Sequence, residues 1–254
     1  EAGTRSRGWL NEEETGSRSK GPKEGSREWC ALKRSPTQMT AGQGTRACFG
    51  TSSTSAGTGF LLEGEGIVVT ANHVVAGAHT IMVRFPDHDW VQASIASQSP
   101  RNDLATLRVE PPTDTRGLHL GSSSVVHTGA AVYTVGYPVV SVLGDEPKYT
   151  DGVISSMTGL QGDHALFQIT VPIQPGNSGG PLISADGTVI GVIVSSAAVA
   201  SFYSLTESLP QNVNWAVKSD YVTPLLGESA VSGSEQRSIV EVVSAVCQIR
   251  ATKG

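Results

Sequence analysis

One serine, Ser178, lies in a turn whose residue types suit a nucleophile. The segment from Pro175 to Leu182 reads PGNSGGPL and separates two apolar runs. Glycines on both sides of the serine permit a sharp turn and keep side chains away from an approaching substrate. A serine hydroxyl is a weak nucleophile until an imidazole takes its proton, and the imidazole needs a carboxylate to hold its tautomer. The segment therefore calls for a histidine and an aspartate elsewhere in the chain.

Two upstream segments supply these two residue types. His73 lies in TANHVV (residues 70–75), which closes an apolar run of strand type, and Asp103 lies in NDLATL (residues 102–107), which opens another. The sequence predicts a catalytic triad in which Ser178 is the nucleophile, His73 the general base and Asp103 the orienting carboxylate.

The order of these residues along the chain distinguishes between known triad architectures. Residues 176–180 also satisfy the Gly-x-Ser-x-Gly pattern of α/β-hydrolases, but that fold needs its histidine after the serine, and all six histidines precede Ser178. The subtilisin order needs an aspartate before the histidine. None precedes His73 or His79, and the later histidines at 119, 127 and 164 lie in no catalytic setting. The order histidine, aspartate, serine is that of chymotrypsin-like double β-barrels.

On these three segments the chain resembles the trypsin-like serine peptidases, and more closely their HtrA/DegP-like branch, from about Thr45 to about Leu226. The resemblance implies a serine endopeptidase that acts on extended or unfolded polypeptides without a cofactor or metal. It implies an oxyanion hole made by the amides of Gly176 and Ser178. It also favours a periplasmic or secreted location and leaves a homo-oligomer open.

The resemblance also implies the position of a substrate pocket. Its residues would be Pro172, Val194, Ser195, Ser196, Ala197, Asn214 and Ala216. None of them is charged, so nothing there would offset the desolvation of a lysine or arginine side chain, and small or medium apolar side chains are expected. Core packing is an equally good interpretation of the neighbouring Trp215. Asn177 stands where zymogen-type relatives have an aspartate that pairs with a freed α-amino group, so activation by N-terminal cleavage is not expected.

Composition agrees with an all-β protein. The 254 residues include 29 glycines, 38% hydrophobic and only 16% charged residues, which is typical of a turn-rich β structure. A net charge of −5 without a basic block argues against nucleic acid as a partner. Cys30, Cys48 and Cys247 are too few for a disulfide framework or a zinc site. No apolar run approaches the roughly 18 residues of a membrane span.

Strand-like runs divide the chain into two antiparallel barrels of the six-stranded type. We predict a disordered N-terminal tail over residues 1–44 and a peptidase domain over residues 45–228. The first barrel would span about 45–125 and the second about 126–228, with the active site in the cleft between them. Residues 229–254 would form a C-terminal tail with a short helix, Ile239–Ile249, packed against a barrel. Fewer than 30 residues follow Leu226, which is too short for a PDZ domain.

A second class of function remains open at this point. A catalytically silent or conditionally activated HtrA-like chain would hold extended peptides by strand addition, as a chaperone does. The complete set of triad residues favours the enzyme.

Overall fold

A computed structural model of the chain describes residues 53–64, 66–194, 203–204, 207, 212–227 and 237–254. Within these residues the chain forms two closed, six-stranded antiparallel barrels. The predicted double-barrel fold is therefore confirmed. The predicted N-terminal tail, residues 1–44, lies outside the described residues. No helix in the described part of the chain has the length and apolar character that crossing a bilayer requires.

The first barrel takes strands from two distant parts of the chain. Its strand order is β1-β12-β3-β4-β5-β2, closed by pairing of β2 with β1. The strands are β1 (Ser53–Leu61), β2 (Ile67–Ala71), β3 (Ala78–Arg84), β4 (Val91–Ser99), β5 (Leu104–Arg108) and β12 (Val246–Lys253).

The second barrel is built from one continuous stretch of chain. Its strand order is β10-β11-β8-β7-β6-β9. The strands are β6 (Ala131–Gly136), β7 (Lys148–Ser156), β8 (Leu166–Ile169), β9 (Pro181–Ser184), β10 (Val189–Val194) and β11 (Asn214–Lys218).

The short helices whose bounds lie within the described residues are α1 (Asn72–Val75), α2 (Val140–Leu143) and α3 (Ile239–Ala245). Short 3₁₀ turns occur at Ser123–Val125, Leu160–Gly162, Ser219–Tyr221 and Thr223–Leu225. The sequence around residues 218–222 also suggests a short helix, and the structure forms the third of these 3₁₀ turns there.

The C-terminal segment differs from the sequence prediction. Helix α3 begins with a capping box between Ser238 and Glu241 but ends at Ala245 rather than Ile249. The next eight residues form β12, which pairs with both β1 and β3. Cys247, Ile249 and Ala251 alternate along β12 and pack inside the first barrel. The apolar spacing that suggested one helix is thus a helical turn followed by a strand with period two. Residues 246–253 belong to the first barrel and not to a tail.

The core has three parts, one inside each barrel and one between them. Adjacent residues of a strand point to opposite faces, so Val68 packs inside the first barrel while Val69 packs against the second. The same holds for Leu182, inside the second barrel, and Ile183, between the barrels. Strands with both faces buried read as continuous apolar runs, as seen here. The core between the barrels includes Val69, near the end of β2, and Leu104, at the start of β5.

Candidate active site

His73 lies in α1, the single helical turn that directly follows β2. Pairing of β2 with β5 runs to Ala71 opposite Leu104, which places the start of α1 beside the residue before β5, Asp103. The Asn72 amide donates to the Asp103 carbonyl over 3.0 Å. The register of one strand pair therefore brings together two residues that lie 30 positions apart.

Both carboxylate oxygens of Asp103 contact His73. Oδ1 accepts a hydrogen bond from the His73 backbone amide at 2.8 Å, and Oδ2 lies 2.6 Å from Nδ1 of the ring. A carboxylate accepts hydrogen bonds, so in the neutral imidazole this contact favours the tautomer with the proton on Nδ1 and the lone pair on Nε2. Asp103 has a φ of 53°, in the left-handed region that aspartate tolerates better than most residues. The His73 side chain is one third exposed.

Ser178 lies in the loop between β8 and β9. The loop is fastened to β10 by two hydrogen bonds of 2.8 Å, from the Gly179 amide to the Ile193 carbonyl and from the Ile193 amide to the Gly180 carbonyl. Within the loop, the Asn177 amide donates to the Gln174 carbonyl. Ser178 is only 4% exposed. The second barrel thus holds the serine in a tight turn that is bound to its own sheet.

Close backbone contacts bring this loop against the first barrel beside α1. A Cβ atom on Gly179, which has a φ of 87°, would lie 2.6 Å from the nitrogen of Ala71. A Cβ atom on Gly57 would lie 2.6 Å from the Val74 side chain and 3.1 Å from the Ser178 carbonyl oxygen. A side chain at Gly179 would meet backbone of the first barrel, and one at Gly57 would meet the Val74 side chain and the Ser178 carbonyl. Ser178 consequently adjoins the turn that carries His73.

Gly176 adopts a backbone conformation that favours glycine, with a φ of 104°. The carbonyl of the preceding Pro175 accepts a hydrogen bond of 2.8 Å from the Val139 amide. In a trans peptide the carbonyl and the next amide point in opposite directions, so this bond also fixes the direction of the Gly176 N–H. That N–H has no backbone acceptor among the described residues.

The predicted pocket residues fall into three groups. Pro172 is exposed and Asn214 is half-buried, with its side-chain amide donating to the Val171 carbonyl at 2.9 Å. Val194 and Ala216 are buried, in the core between the barrels and in the second barrel respectively. Ser195, Ser196 and Ala197 lie outside the described residues. Trp215 is 1% exposed and packs between the barrels, in agreement with its interpretation as a core residue.

Two other groups with acidic protons lie close to these elements. Burial raises the pKa of the Tyr137 hydroxyl far above its usual range, so the phenol stays protonated. Burial likewise raises the pKa of the Cys247 thiol, which points into the first barrel. A buried thiol that keeps its proton is a poor nucleophile. Neither group is therefore a candidate nucleophile.

Sequence reasoning missed the residues that support this site. Thr58 contacts the Ser178 loop from β1, and Lys253 donates from Nζ to the His73 carbonyl over 2.9 Å. The apolar run that indicates the first strand, Gly59 to Leu62, begins one residue after Thr58 and so does not point to it. Its place between two glycines, Gly57 and Gly59, was the available signal, since such glycines indicate close backbone approach. The position of Lys253 depends on a strand that the sequence did not predict.

Two antiparallel barrels with a histidine–aspartate pair in one and a glycine-flanked serine in the other define a chymotrypsin-like serine peptidase architecture. The trypsin-like peptidase domain family matches residues 57–192. The chain belongs to this family.

Individual relatives agree with this assignment. The chain is 39% identical over 188 residues to the uncharacterized protein y4bJ of Sinorhizobium fredii, a match that covers 73% of the chain. It is 36% identical over 141 residues, or 54% of the chain, to a probable periplasmic serine endoprotease DegP-like of Pseudomonas fluorescens. Each match covers 29% of the relative, so the chain spans less than a third of the length of these curated relatives.

A solved structure extends the likeness to three dimensions. The HtrA-type protease AlgW with a decapeptide has a TM-score of 0.55 and 28% identity, covering 67% of this chain and 50% of that one. The predicted resemblance to the HtrA/DegP-like branch is confirmed by these relatives.

Proposed function

We propose that the chain is a serine endopeptidase that hydrolyses peptide bonds through an acyl-enzyme on Ser178. The observation that carries this proposal is the contact of both Asp103 carboxylate oxygens with His73. Because Nδ1 is committed to Asp103, Nε2 is the ring atom available to accept a proton. The serine loop adjoins the same helical turn through Gly57 and Gly179.

The chemistry would follow in two acyl-transfer steps. His73 takes the Ser178 proton as Oγ attacks the scissile carbonyl, and it then returns that proton to the leaving amine. Asp103 stabilises the imidazolium that forms between these events. Water activated by His73 then hydrolyses the acyl-enzyme. The amides of Gly176 and Ser178 would bind the oxyanion of each tetrahedral intermediate, and each such donor typically contributes about 2.7–4 kcal/mol.

A fluorophosphonate probe combined with casein digestion tests this proposal. We expect the probe to label the wild type and Ser94→Ala, a control at an exposed serine of β4, but not Ser178→Ala or His73→Ala. Casein cleavage should fall by several orders of magnitude in the last two variants, because triad residues act as a unit. Activity close to wild type in either one would refute the mechanism.

The same measurements address the alternative function. A peptide-binding module without catalysis would bind unfolded casein equally in wild type and Ser178→Ala, and neither would be labelled or cleave it. A conditionally activated enzyme would show low labelling that increases when peptide is added. Constant labelling with and without peptide is the result expected for a site that is already formed.

The substrates we propose are extended or unfolded polypeptides, cleaved after small or medium apolar side chains. The supporting observation is that Pro172 and Asn214, the two described residues of the expected pocket that are not buried in the core, are uncharged. Burial of an aliphatic side chain gains about 0.8 kcal/mol per CH₂, whereas a lysine or arginine would enter without a counter-ion. Mass spectrometry of casein products should show new C-termini that are mostly Val, Ala, Leu, Ile or Met. Dominant cleavage after Lys or Arg would refute the pocket assignment but would not contradict the triad mechanism.

A further inference from the structure

Thr58 makes an unusual set of hydrogen bonds across the two barrels. It lies on β1 of the first barrel and is completely buried. Its backbone amide donates to the Ser178 carbonyl at 3.0 Å, and its hydroxyl donates to the Gly176 carbonyl at 2.6 Å. These two carbonyls belong to the residues whose amides we propose as oxyanion donors. One residue of the first barrel thus binds both of them.

The direction of the hydroxyl proton follows from its second partner. The Tyr137 amide lies 3.0 Å from Thr58 Oγ1 and can only donate, so the hydroxyl accepts there and gives its own proton to Gly176. The Thr58 carbonyl accepts from the Thr70 hydroxyl at 2.7 Å, which ties this residue to β2, the strand before His73. Every polar atom of Thr58 is therefore paired, two of them with the serine loop.

Glycines of the second barrel make room for this side chain. A Cβ atom on Gly136 would lie 3.1 Å from Thr58 Oγ1, and one on Gly180 would lie 3.2 Å from its methyl carbon. A Cβ atom on Gly179 would lie 2.3 Å from the Thr58 carbonyl oxygen. The threonine occupies a socket that larger residues would close. Such a fit holds a loop at one distance from the neighbouring barrel.

We propose that Thr58 is a positioning residue whose hydroxyl preorganises the oxyanion hole, an inference that rests on the proposed function. Gly176 has no side chain to limit its rotation, so its orientation depends on the hydrogen bonds on either side of it. Val139 fixes the peptide before Gly176. The peptide after it is held on both sides, by the bond of the Asn177 amide to the Gln174 carbonyl within the loop and by the bond of Thr58 to the Gly176 carbonyl from the first barrel. Without the hydroxyl, the Gly176 carbonyl loses its bond to the first barrel, and the Gly176 amide moves relative to the oxyanion. Displacement of a catalytic donor by about 1 Å can cost on the order of 10²-fold in rate.

Thr58→Val is the direct test, because it keeps the branched shape and removes only the hydroxyl. We expect kcat to fall by about 30- to 100-fold with KM within about threefold of the wild type, since the loss arises in the transition state. Thr58→Ser keeps the hydroxyl and should recover most of the lost kcat. Thr106→Val is the matched control: Thr106 is a buried threonine of the same barrel whose hydroxyl has no partner among the described residues. Its kcat should stay at the wild-type value.

The affinity for a peptide aldehyde is a second measurement, and a purely structural role of Thr58 would leave it unchanged. Ser178 Oγ adds to the aldehyde carbon, the C=O π bond opens onto oxygen, and His73 takes the serine proton, so the resulting oxygen lies where the oxyanion does. The inhibition constant of Thr58→Val should rise by the same factor by which kcat/KM falls. All assays are made at a temperature where thermal melting shows each variant fully folded. If Thr58→Val does not fold, Thr58→Cys takes its place, because its thiol is a weak hydrogen-bond donor. We expect its kcat to fall by about tenfold with KM unchanged.

The outcomes separate this inference from the proposed function. If the wild type shows no activity that depends on Ser178, both the proposed function and the role of Thr58 are refuted. An active wild type with unchanged kcat and aldehyde affinity in Thr58→Val overturns the role of Thr58 alone. A loss that appears only in KM, or that Thr58→Ser fails to reduce, also overturns it.

Discussion

The two barrels have the same strand number but are assembled differently along the chain. The second uses β6 to β11 in one stretch, whereas the first closes only when β12 inserts between β1 and β3. Chain closure over a long separation costs entropy before its contacts form. The barrel with the proposed base and carboxylate therefore depends on the C-terminal strand, and the barrel with the proposed nucleophile does not.

The barrels also differ in how they hold their functional groups. The histidine–aspartate pair is fixed within the first barrel by strand register and by three hydrogen bonds between neighbouring segments. The serine loop of the second barrel relies partly on its own sheet and partly on Thr58 from the other barrel. The histidine–aspartate pair thus depends on the first barrel alone, whereas the serine loop depends on both barrels. Substitutions at the pair and at the loop should therefore have distinguishable effects.

The largest effect is expected at the pair that the first barrel holds alone. Asp103→Asn preserves shape, but an amide has only one acceptor atom for the two donors of His73 and favours the wrong imidazole tautomer. We expect kcat to fall by about 10⁴-fold with little change in KM. Kinetics on a peptide substrate measure this, with exposed Asp151→Asn on β7 as the control. A decrease of less than about tenfold would assign the carboxylate role elsewhere.

The next effect tests whether β12 is an integral strand. Ile249 on β12 and Ile190 on β10 are both buried, inside the first and the second barrel respectively. Truncation of either to alanine removes buried methyl groups and leaves a cavity, which typically costs about 2–5 kcal/mol. Denaturant unfolding should give similar losses for Ile249→Ala and Ile190→Ala. If Ile249→Ala alone lowers the free energy of unfolding by less than about 1 kcal/mol, β12 is not an integral strand of the first barrel.

A smaller effect is expected at the end of β12. Lys253 Nζ donates to the His73 carbonyl over 2.9 Å and so fastens α1 to the closing strand. Removal of a half-exposed, charge-assisted bond typically costs about 1 kcal/mol, or about fivefold if it acts on the position of the histidine. Lys253→Met should lower kcat by about this factor, and Lys253→Arg should restore it. Arg250→Met, on the same strand, is the control. If Lys253→Met and the wild type have equal kcat and KM, the bond to the His73 carbonyl contributes to stability and not to the position of the histidine.

The fold could be predicted, and the central residues of the candidate site proposed, because their signals are local. Short apolar runs with glycine turns indicate strands in both barrels, and the order of His73, Asp103 and Ser178 selects the architecture. The twelfth strand was missed because Ile239, Val242 and Val246 have helical spacing and the partners of Val246–Lys253 lie far away in sequence. Thr58 was missed for a similar reason. Its role depends on contacts with residues about 120 positions later, which no local pattern records.

The smallest effect concerns an ion pair on the surface between the barrels. Arg84 on β3 donates to Asp145, in the loop before β7, over 2.8 Å. This hydrogen bond holds the pKa of the exposed Asp145 carboxyl below its usual range. A carboxyl with a lowered folded-state pKa contributes stability above its unfolded-state pKa, and the contribution is lost as pH falls through the folded-state value. The thermal midpoint of Asp145→Asn should therefore lie slightly below that of wild type at neutral pH. The difference should shrink as pH falls through the lowered folded-state pKa, and also in about 1 M salt, which screens exposed charges. A difference that persists under both conditions would show that Asp145 joins the barrels by packing rather than by charge.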